Sequence, residues 1–235
     1  MAFDFVKGEV LLVDKEMGWT SFDAVKTIRG SLQKAYNARC FKVGHAGTLD
    51  PLATGLLLIC TGKATKTIDS LQAQDKVYTG SFFIGATTPS FDKETEIDKT
   101  FPTNHINENL LKEIASSFIG EIEQTPPIYS AIKIDGKRAY EYARKQETVK
   151  IKSRKVTIFH FKITKTELPE VYFEVKCSKG TYIRSLARDF GLALNSGAYL
   201  SSLRRTKIGN YSVEDALKTD AIKELIHKQD IVPNK

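Results

Sequence analysis

GHAGTLDPLATGLLLIC, residues 44–60, presses three glycines, a proline, two threonines, a histidine and an aspartate against an apolar run. The run LLLIC reads as a short apolar strand, and what precedes it must be a loop at the edge of a core. Pro51 fixes its own φ and pushes Asp50 towards extended backbone. Gly44, Gly47 and Gly55 permit close approach or positive φ around the acid. A carboxylate held rigidly at a cleft wall, on a loop carried by a scaffold, is one reading. The plainer one is an Asx-type turn ahead of Pro51, which the local sequence by itself favours.

Working outward, GEVLLVDK (8–15) reads as a buried strand. MGWTS then turns into a helix capped by Thr20 or Ser21, with Phe22, Val25, Ile28 and Leu32 on one face. Beyond the loop, 64–74 has helical spacing and 76–85 is aromatic and β-branched enough to be a strand. Residues 87–105 are polar and turn-rich, which predicts an exposed loop, and 107–118 a short amphipathic helix. Strands are expected over 129–134, 148–164 and 170–177, a helix over 180–194, a strand over 198–211, and two short helical pieces at the end. There is no repeat, low-complexity segment or linker, so residues 1–235 are expected to form a single domain. Strands and helices alternate irregularly, which favours an α+β fold with a large mixed or antiparallel sheet.

The 235 residues are 41% hydrophobic and 27% charged, ordinary values for a chain with a substantial core. No apolar run approaches the roughly 18 residues that suggest a membrane span. MAFDFVKGEV lacks the pattern of a signal peptide. Cys40, Cys60 and Cys177 are too scattered for a disulfide framework or a CxxC zinc site, and suit a reducing cytoplasm. The net charge of +7 is localised: residues 133–207 hold 18 Lys/Arg against 7 Asp/Glu, and the rest of the chain sums to −4. One basic stretch on a nearly neutral body is how a polyanion-binding surface looks, although solvated lysine-rich surfaces are the commoner case.

His45, His105, His160 and His227 are dispersed, with no HExxH or HxxxH spacing among them. A Walker-type phosphate loop, a GxGxxG fingerprint and a GxSxG elbow are all missing. Chemistry would have to use carboxylate, tyrosine, arginine or histidine, without a metal or nucleotide cofactor. In KGTYIRSLARDFG (179–191), Arg184 falls in the first turns of an amphipathic helix whose Ile183, Leu186, Ala187 and Phe190 face inward. Such an arginine can pair with a buried acid through its planar fork, or lie at the surface of a sheet rim. Tyr78, in KVYTGSFF, could present its ring to a base, but a strand tyrosine is more often core.

GHAGTLDPLATGLL followed by GKATK and then KxY resembles the central motif of the TruB family of bacterial tRNA pseudouridine-55 synthases. Further stretches match in order: GEVLLVDKEMGWTSFDAVK, QTPPIYSAIKIDGKRAYEYAR, CSKGTYIRSLARDFG and GAYLSSLRRTKIGNY. The resemblance implies a pseudouridine synthase fold, a mixed, largely antiparallel central sheet flanked by helices with a catalytic cleft across it. It also implies isomerisation of uridine 55 in the T-loop of tRNA without cofactor or metal, on a base first flipped out of the folded RNA.

Carried over residue by residue, Asp50 is the catalytic aspartate, acting either at C6 of the base or at C1′ of the sugar. Arg184 would pair with Asp50 and aim it, while Tyr78 would stack on the uracil and take the C5 proton. His45 would fill the space the nucleotide leaves. Leu203 would wall the pocket, and Lys76 of KxY would lie on the substrate side. Lys133, Lys137, Arg138, Arg144, Lys150, Lys152, Arg154 and Lys155 fall in what resembles an RNA-gripping insertion around 125–155. The expected partner is the T-arm of tRNA, bound by a cytoplasmic monomer. A separate reading of the same residues is an RNA-binding or tRNA-folding factor with secondary catalysis.

Three departures stand out. Asp14-Lys15-Glu16 replaces the usual Asp-Lys-Pro, which loosens the constraint on that turn. GATTPSFDKET carries Ser90 for threonine and Thr95 for glycine in the family's GxxTxTxDxxG stretch, so this loop is expected to differ in conformation. After Leu217 only 18 residues remain, too few for the C-terminal PUA-like β-domain of many relatives, so T-arm contacts must suffice.

Overall fold

The computed structural model describes residues 3–130, 132–134, 136–144, 147, 149 and 151–228. The chain divides into two compact units, Met1–Tyr78 with Arg204–Lys235, and Thr79–Leu203. It opens with β1 (Val10–Lys15), α1 (Ser21–Ala35), β2 (Val43–His45), β3 (Thr54–Thr61) and α2 (Ile68–Ala73). Strand β4 (Lys76–Ile84) carries it into the second unit. There follow β5 (Ala86–Thr87), β6 (Lys99–Thr100), α3 (Glu108–Ser117), β7 (Gly120–Gln124), β8 (Lys133–Ile134), β9 (Lys137–Arg138) and α4 (Ala139–Arg144). After β10 (Arg154–Glu167), β11 (Glu170–Cys177) and α5 (Ile183–Ala193), strand β12 (Ala198–Ile208) returns to the first unit. β13 (Tyr211–Ser212), β14 (Leu217–Lys218) and α6 (Thr219–Lys228) complete it. Both crossings lie inside strands, which is why no linker composition marks them.

In the first unit β3 pairs antiparallel with β1, from Val10↔Cys60 to Lys15↔Gly55, and with β2. It pairs parallel with β12 through Arg204↔Thr54 and Arg205↔Gly55, while β14 runs parallel to β1. LLLIC is buried on both faces, as a strand at the centre of a covered sheet must be. Leu57 and Ile59 pack with Val25, Ile28 and Leu32 of α1 and Ile222 and Ile226 of α6. Leu56, Leu58 and Cys60 pack with Ala46, Leu71, Ile208 and Val213. Each such leucine or isoleucine contributes about 2 kcal/mol by leaving water. In the second unit β10 pairs antiparallel with β11 and β7. The core there is aromatic: Phe82 stacks on Phe173 with centroids 4.3 Å apart, and Phe161 and Phe190 close round them. The sheet is thus mixed and largely antiparallel, with helices against it.

Several expectations shift. The helix cap is Thr20, in a capping box with Asp23, which leaves Ser21 for another task. Ser21, Val25, Ile28 and Leu32 make the 3.6-residue stripe, so Phe22 lies off it and is 60% exposed rather than inward. The stretch 64–74 is a 3₁₀ turn (Gly62–Thr67) followed by α2. The strand expected over 148–164 is β10, which begins at Arg154, and among the described residues of 129–134 strand is confined to Lys133–Ile134. The segment 87–105, expected to be exposed, buries Thr88, Ser90 and Asp92. Buried polar groups must be hydrogen-bonded, and these are: the Thr88 and Ser90 hydroxyls donate to the Asp92 carbonyl at 2.7 and 3.3 Å.

Candidate active site

Residues 46–53 link β2 to β3, and the backbone there is tied residue by residue. Ala46 N–H donates to Leu58 O at 2.8 Å. Five consecutive carbonyls then each accept a bond. Arg205 donates to Gly47 O at 3.0 Å and to Thr48 O at 3.4 Å. The Ser21 hydroxyl donates to Leu49 O at 3.2 Å and accepts from Leu49 N–H at 2.8 Å. Asp50 O accepts from Ala53 N–H at 3.0 Å, and Pro51 O from Gly18 N–H at 2.8 Å. Glycine is required at 55, where φ is +100° and a Cβ would meet the Arg205 backbone at 2.3 Å. Asp50 therefore rides on immobilised backbone, half-buried.

Two buried cations flank this loop. Lys15, 1% exposed, donates to the carbonyls of Glu16 (2.9 Å), Trp19 (2.6 Å) and Pro51 (3.4 Å). These bonds tie the turn that Glu16 in place of proline was expected to loosen. Burial lowers the Lys15 ammonium to about 8, a fall that the Asp50 carboxylate opposes and the Arg205 guanidinium assists. Arg205, also 1% exposed, donates to Leu56 O at 2.7 Å besides its two loop carbonyls. His45, half-buried on β2, is pushed below the usual histidine range by burial and then by Arg205, while a backbone bond at Gly47 opposes. Its imidazole is therefore neutral at pH 7.

Tyr78 is buried on β4 at 8% exposure. Two residues earlier the Lys76 ammonium donates to Gln72 O and Gln74 O, both at 2.5 Å, capping the C-terminal end of α2. Leu203 is half-buried on β12, two residues before Arg205.

The second unit holds Arg184 near the start of α5, 4% exposed. Its Nε lies 3.5 Å from an Asp92 carboxylate oxygen. Nη1 donates to Tyr129 O at 2.9 Å and Ser90 O at 3.5 Å. Phe91, directly before Asp92, sits at φ +62°, a strained value for a bulky residue, with Arg188 over its ring at 5.0 Å. The two departures in this loop face each other: the Ser90 and Thr95 hydroxyls bond at 2.8 Å, and Ser90 N–H donates to Thr95 at 3.1 Å. The start of α5 is held by Tyr182 N–H on Gln124 at 2.7 Å and the Ser185 hydroxyl on Thr125 O at 2.8 Å.

Among the basic residues, Arg154 packs over the Tyr182 ring at 4.8 Å and donates to Gly180 O, so it braces the turn before α5. Lys155 pairs with Glu121 at 2.7 Å in the open, and Lys152 is exposed. Lys133 lies on β8, Lys137 and Arg138 on β9, and Arg144 ends α4. Lys150 lies outside the described residues. Among the described residues no three His, Cys, Asp or Glu side chains gather as metal ligands would, and no helix is long and apolar enough to cross a membrane.

Sequence reading missed Lys15, Arg205 and Asp92. Each was in view, inside VDKEMG, LRRT and PSFDK, but a buried cation bonded to carbonyls leaves no pattern in local sequence. Asp92 was the most accessible, being the retained aspartate of the GxxTxTxDxxG stretch.

An immobilised aspartate on a glycine-bounded loop, on a mixed sheet of this topology, defines a pseudouridylate synthase scaffold. The family model for the N-terminal domain of TruB pseudouridylate synthases matches residues 33–183, and that for the tRNA pseudouridylate synthase B C-terminal domain matches 184–233. The chain belongs to the TruB family. A tRNA pseudouridine synthase B of Flavobacterium johnsoniae is 60% identical over 222 residues, 94% of this chain and 97% of that one. Its counterpart in Phocaeicola vulgatus is 51% identical over 228 residues, 97% of each. Among solved structures, a chain of a Cbf5–Nop10–Gar1 complex superposes with TM-score 0.69 at 28% identity, over 94% of this chain and 54% of that one. An H/ACA RNP bound to a substrate RNA containing 2′-deoxyuridine gives 0.67 at 26%, with 94% and 54% covered. This chain spans about half the length of those two.

Proposed function

We propose that this protein converts uridine 55 in the T-loop of tRNA to pseudouridine. The supporting observation is the Asp50 loop, in which every carbonyl from Gly47 to Pro51 is tied, so that the carboxylate meets a flipped nucleotide without moving. Preorganised charge needs no rearrangement at the moment of reaction. The N1–C1′ bond of the uridine breaks, the uracil turns, C5 bonds to C1′, and the C5 proton leaves as N1 gains one. Asp50 serves as nucleophile at C6 or C1′, or as the charge that stabilises the separated sugar.

Arg184 acts on the same nucleotide and aims Asp50, its fork braced by Asp92 and by Tyr129 O. Tyr78 stacks on the uracil and removes the C5 proton. A neutral His45 suits filling the vacated space rather than moving protons. Leu203 walls the pocket against water, and Lys76, whose ammonium caps α2, is placed with them on the substrate-binding side.

Lys133, Lys137, Arg138, Arg144, Lys150, Lys152, Arg154 and Lys155 grip T-arm phosphates, a term that weakens with salt. The protein acts as a cytoplasmic monomer, its residues 1–235 forming one catalytic domain. Mapping pseudouridine in RNA from cells lacking this protein tests the reading. Loss at position 55 of tRNA and nowhere else is expected; undiminished pseudouridine 55 contradicts it.

A further inference from the structure

Arg205 is among the largest fully buried side chains in the molecule. Its guanidinium donates to three main-chain carbonyls, Leu56 O at 2.7 Å, Gly47 O at 3.0 Å and Thr48 O at 3.4 Å. Two of those carbonyls belong to the loop that presents Asp50, and the third to β3, on which the loop is built. The planar fork thus spans the gap between fixed strand and loop. Its own backbone is fixed as well, in register with Gly55 across the parallel β3–β12 pair. A buried charge of this kind is costly unless its donors are used, and a lysine, whose donors share one nitrogen, cannot reproduce a fork whose Nε, Nη1 and Nη2 each meet a different carbonyl. Hydrophobic side chains would fill the same volume and leave the loop untied.

We propose that Arg205 is a positioning residue for this reaction, setting the Asp50 loop on β3 through the carbonyls of Gly47, Thr48 and Leu56. It touches no reacting atom and acts through the backbone that carries Asp50. This rests on the isomerase reading only for its kinetic consequence.

The test is Arg205→Lys in the full chain, with wild type beside it. A displacement of about 1 Å in a reacting group costs on the order of 100-fold. The expected result is a folded variant that binds a T-arm stem-loop within about threefold of wild type but forms pseudouridine about 100-fold more slowly in a single turnover. A single-turnover rate within about threefold of wild type overturns the proposal, and so does a rate that falls only in step with T-arm affinity. Hydrogen exchange on RNA-free wild type and Arg205→Lys gives a second test that needs no activity. The Leu49 amide should exchange about 100-fold faster in the variant while the Leu58 amide of β3 is unchanged, whereas equal Leu49 exchange in the two proteins overturns the proposal. If wild type makes no pseudouridine, the functional reading fails, while faster Leu49 exchange in the variant still upholds the clamp.

Discussion

Arg205 and Arg184 are both buried guanidinium groups, one in each unit, yet they are set to different tasks. Arg205 is directed at main-chain carbonyls and holds backbone. Arg184 faces a carboxylate, Asp92, as well as carbonyls, and its setting is a loop of buried hydroxyls with a strained Phe91. The first arrangement fixes where an acid stands. The second holds a positive charge between the Asp92 carboxylate and the main-chain carbonyls of Ser90 and Tyr129. The loop depends on the side chains that reach its carbonyls, whereas Arg184 depends also on one acidic side chain, Asp92.

That contrast can be broken at several points. The largest effect is expected from Arg184→Lys, which keeps the charge but loses the fork: pseudouridine formation should fall about 1,000-fold, roughly 4 kcal/mol in the barrier. Turnover near wild type would make Arg184 purely architectural. Asp92→Ala takes the carboxylate from a buried pair and should lower unfolding free energy by about 3 kcal/mol in urea. A loss below 1 kcal/mol, on the order of an exposed ion pair, would show that the carbonyls alone suffice.

Lys15 gives a smaller, pH-dependent effect. Folding lowers its ammonium from 10.5 to about 8. Below about pH 8 folded and unfolded chains both hold this proton and the burial cost is fully felt. Between about 8 and 10.5 only the unfolded chain keeps it, so stability rises with pH. Against Lys15→Met, wild type should gain roughly 2 kcal/mol between pH 7.5 and 9.5. A constant difference would mean Lys15 titrates normally. The least effect on folding belongs to Lys155→Ala, an exposed partner of Glu121. The unfolding midpoint should not move, while the log–log salt dependence of tRNA binding should flatten by about 1. An unchanged slope would remove Lys155 from the RNA surface.

The two regions also differ in how well they can be read. GHAGTLDP is contiguous, and its glycines, proline and apolar strand each demand a local conformation, so the Asp50 loop and its anchoring strand were legible. The irregular order of strands and helices was enough for the α+β class. Arg184 was found because its helix carries an inward stripe, but its partners are 94 and 55 residues away in sequence at Ser90 and Tyr129. A polar, turn-rich stretch reads as solvent-exposed, and nothing local announces that Thr88, Ser90 and Asp92 satisfy one another indoors. The compensating Ser90–Thr95 pair is invisible for the same reason: two departures looked like disturbance until their hydroxyls met at 2.8 Å. Phe22 was misplaced because one apolar residue beside a stripe looks like part of it. The family motifs legible in the sequence end at residue 211, although the C-terminal family match runs to 233, and within that stretch β14 extends the sheet beside β1 and α6 covers it.

Asp50→Asn puts the central claim to the most direct measurement, since it changes one oxygen for an NH₂ on backbone whose carbonyls are all tied. In a single-turnover assay with excess enzyme and a T-arm stem-loop, the variant should bind RNA as wild type does and yield no pseudouridine. Product formed at a rate near that of wild type would contradict the assignment of Asp50, and with it the purpose given to the loop.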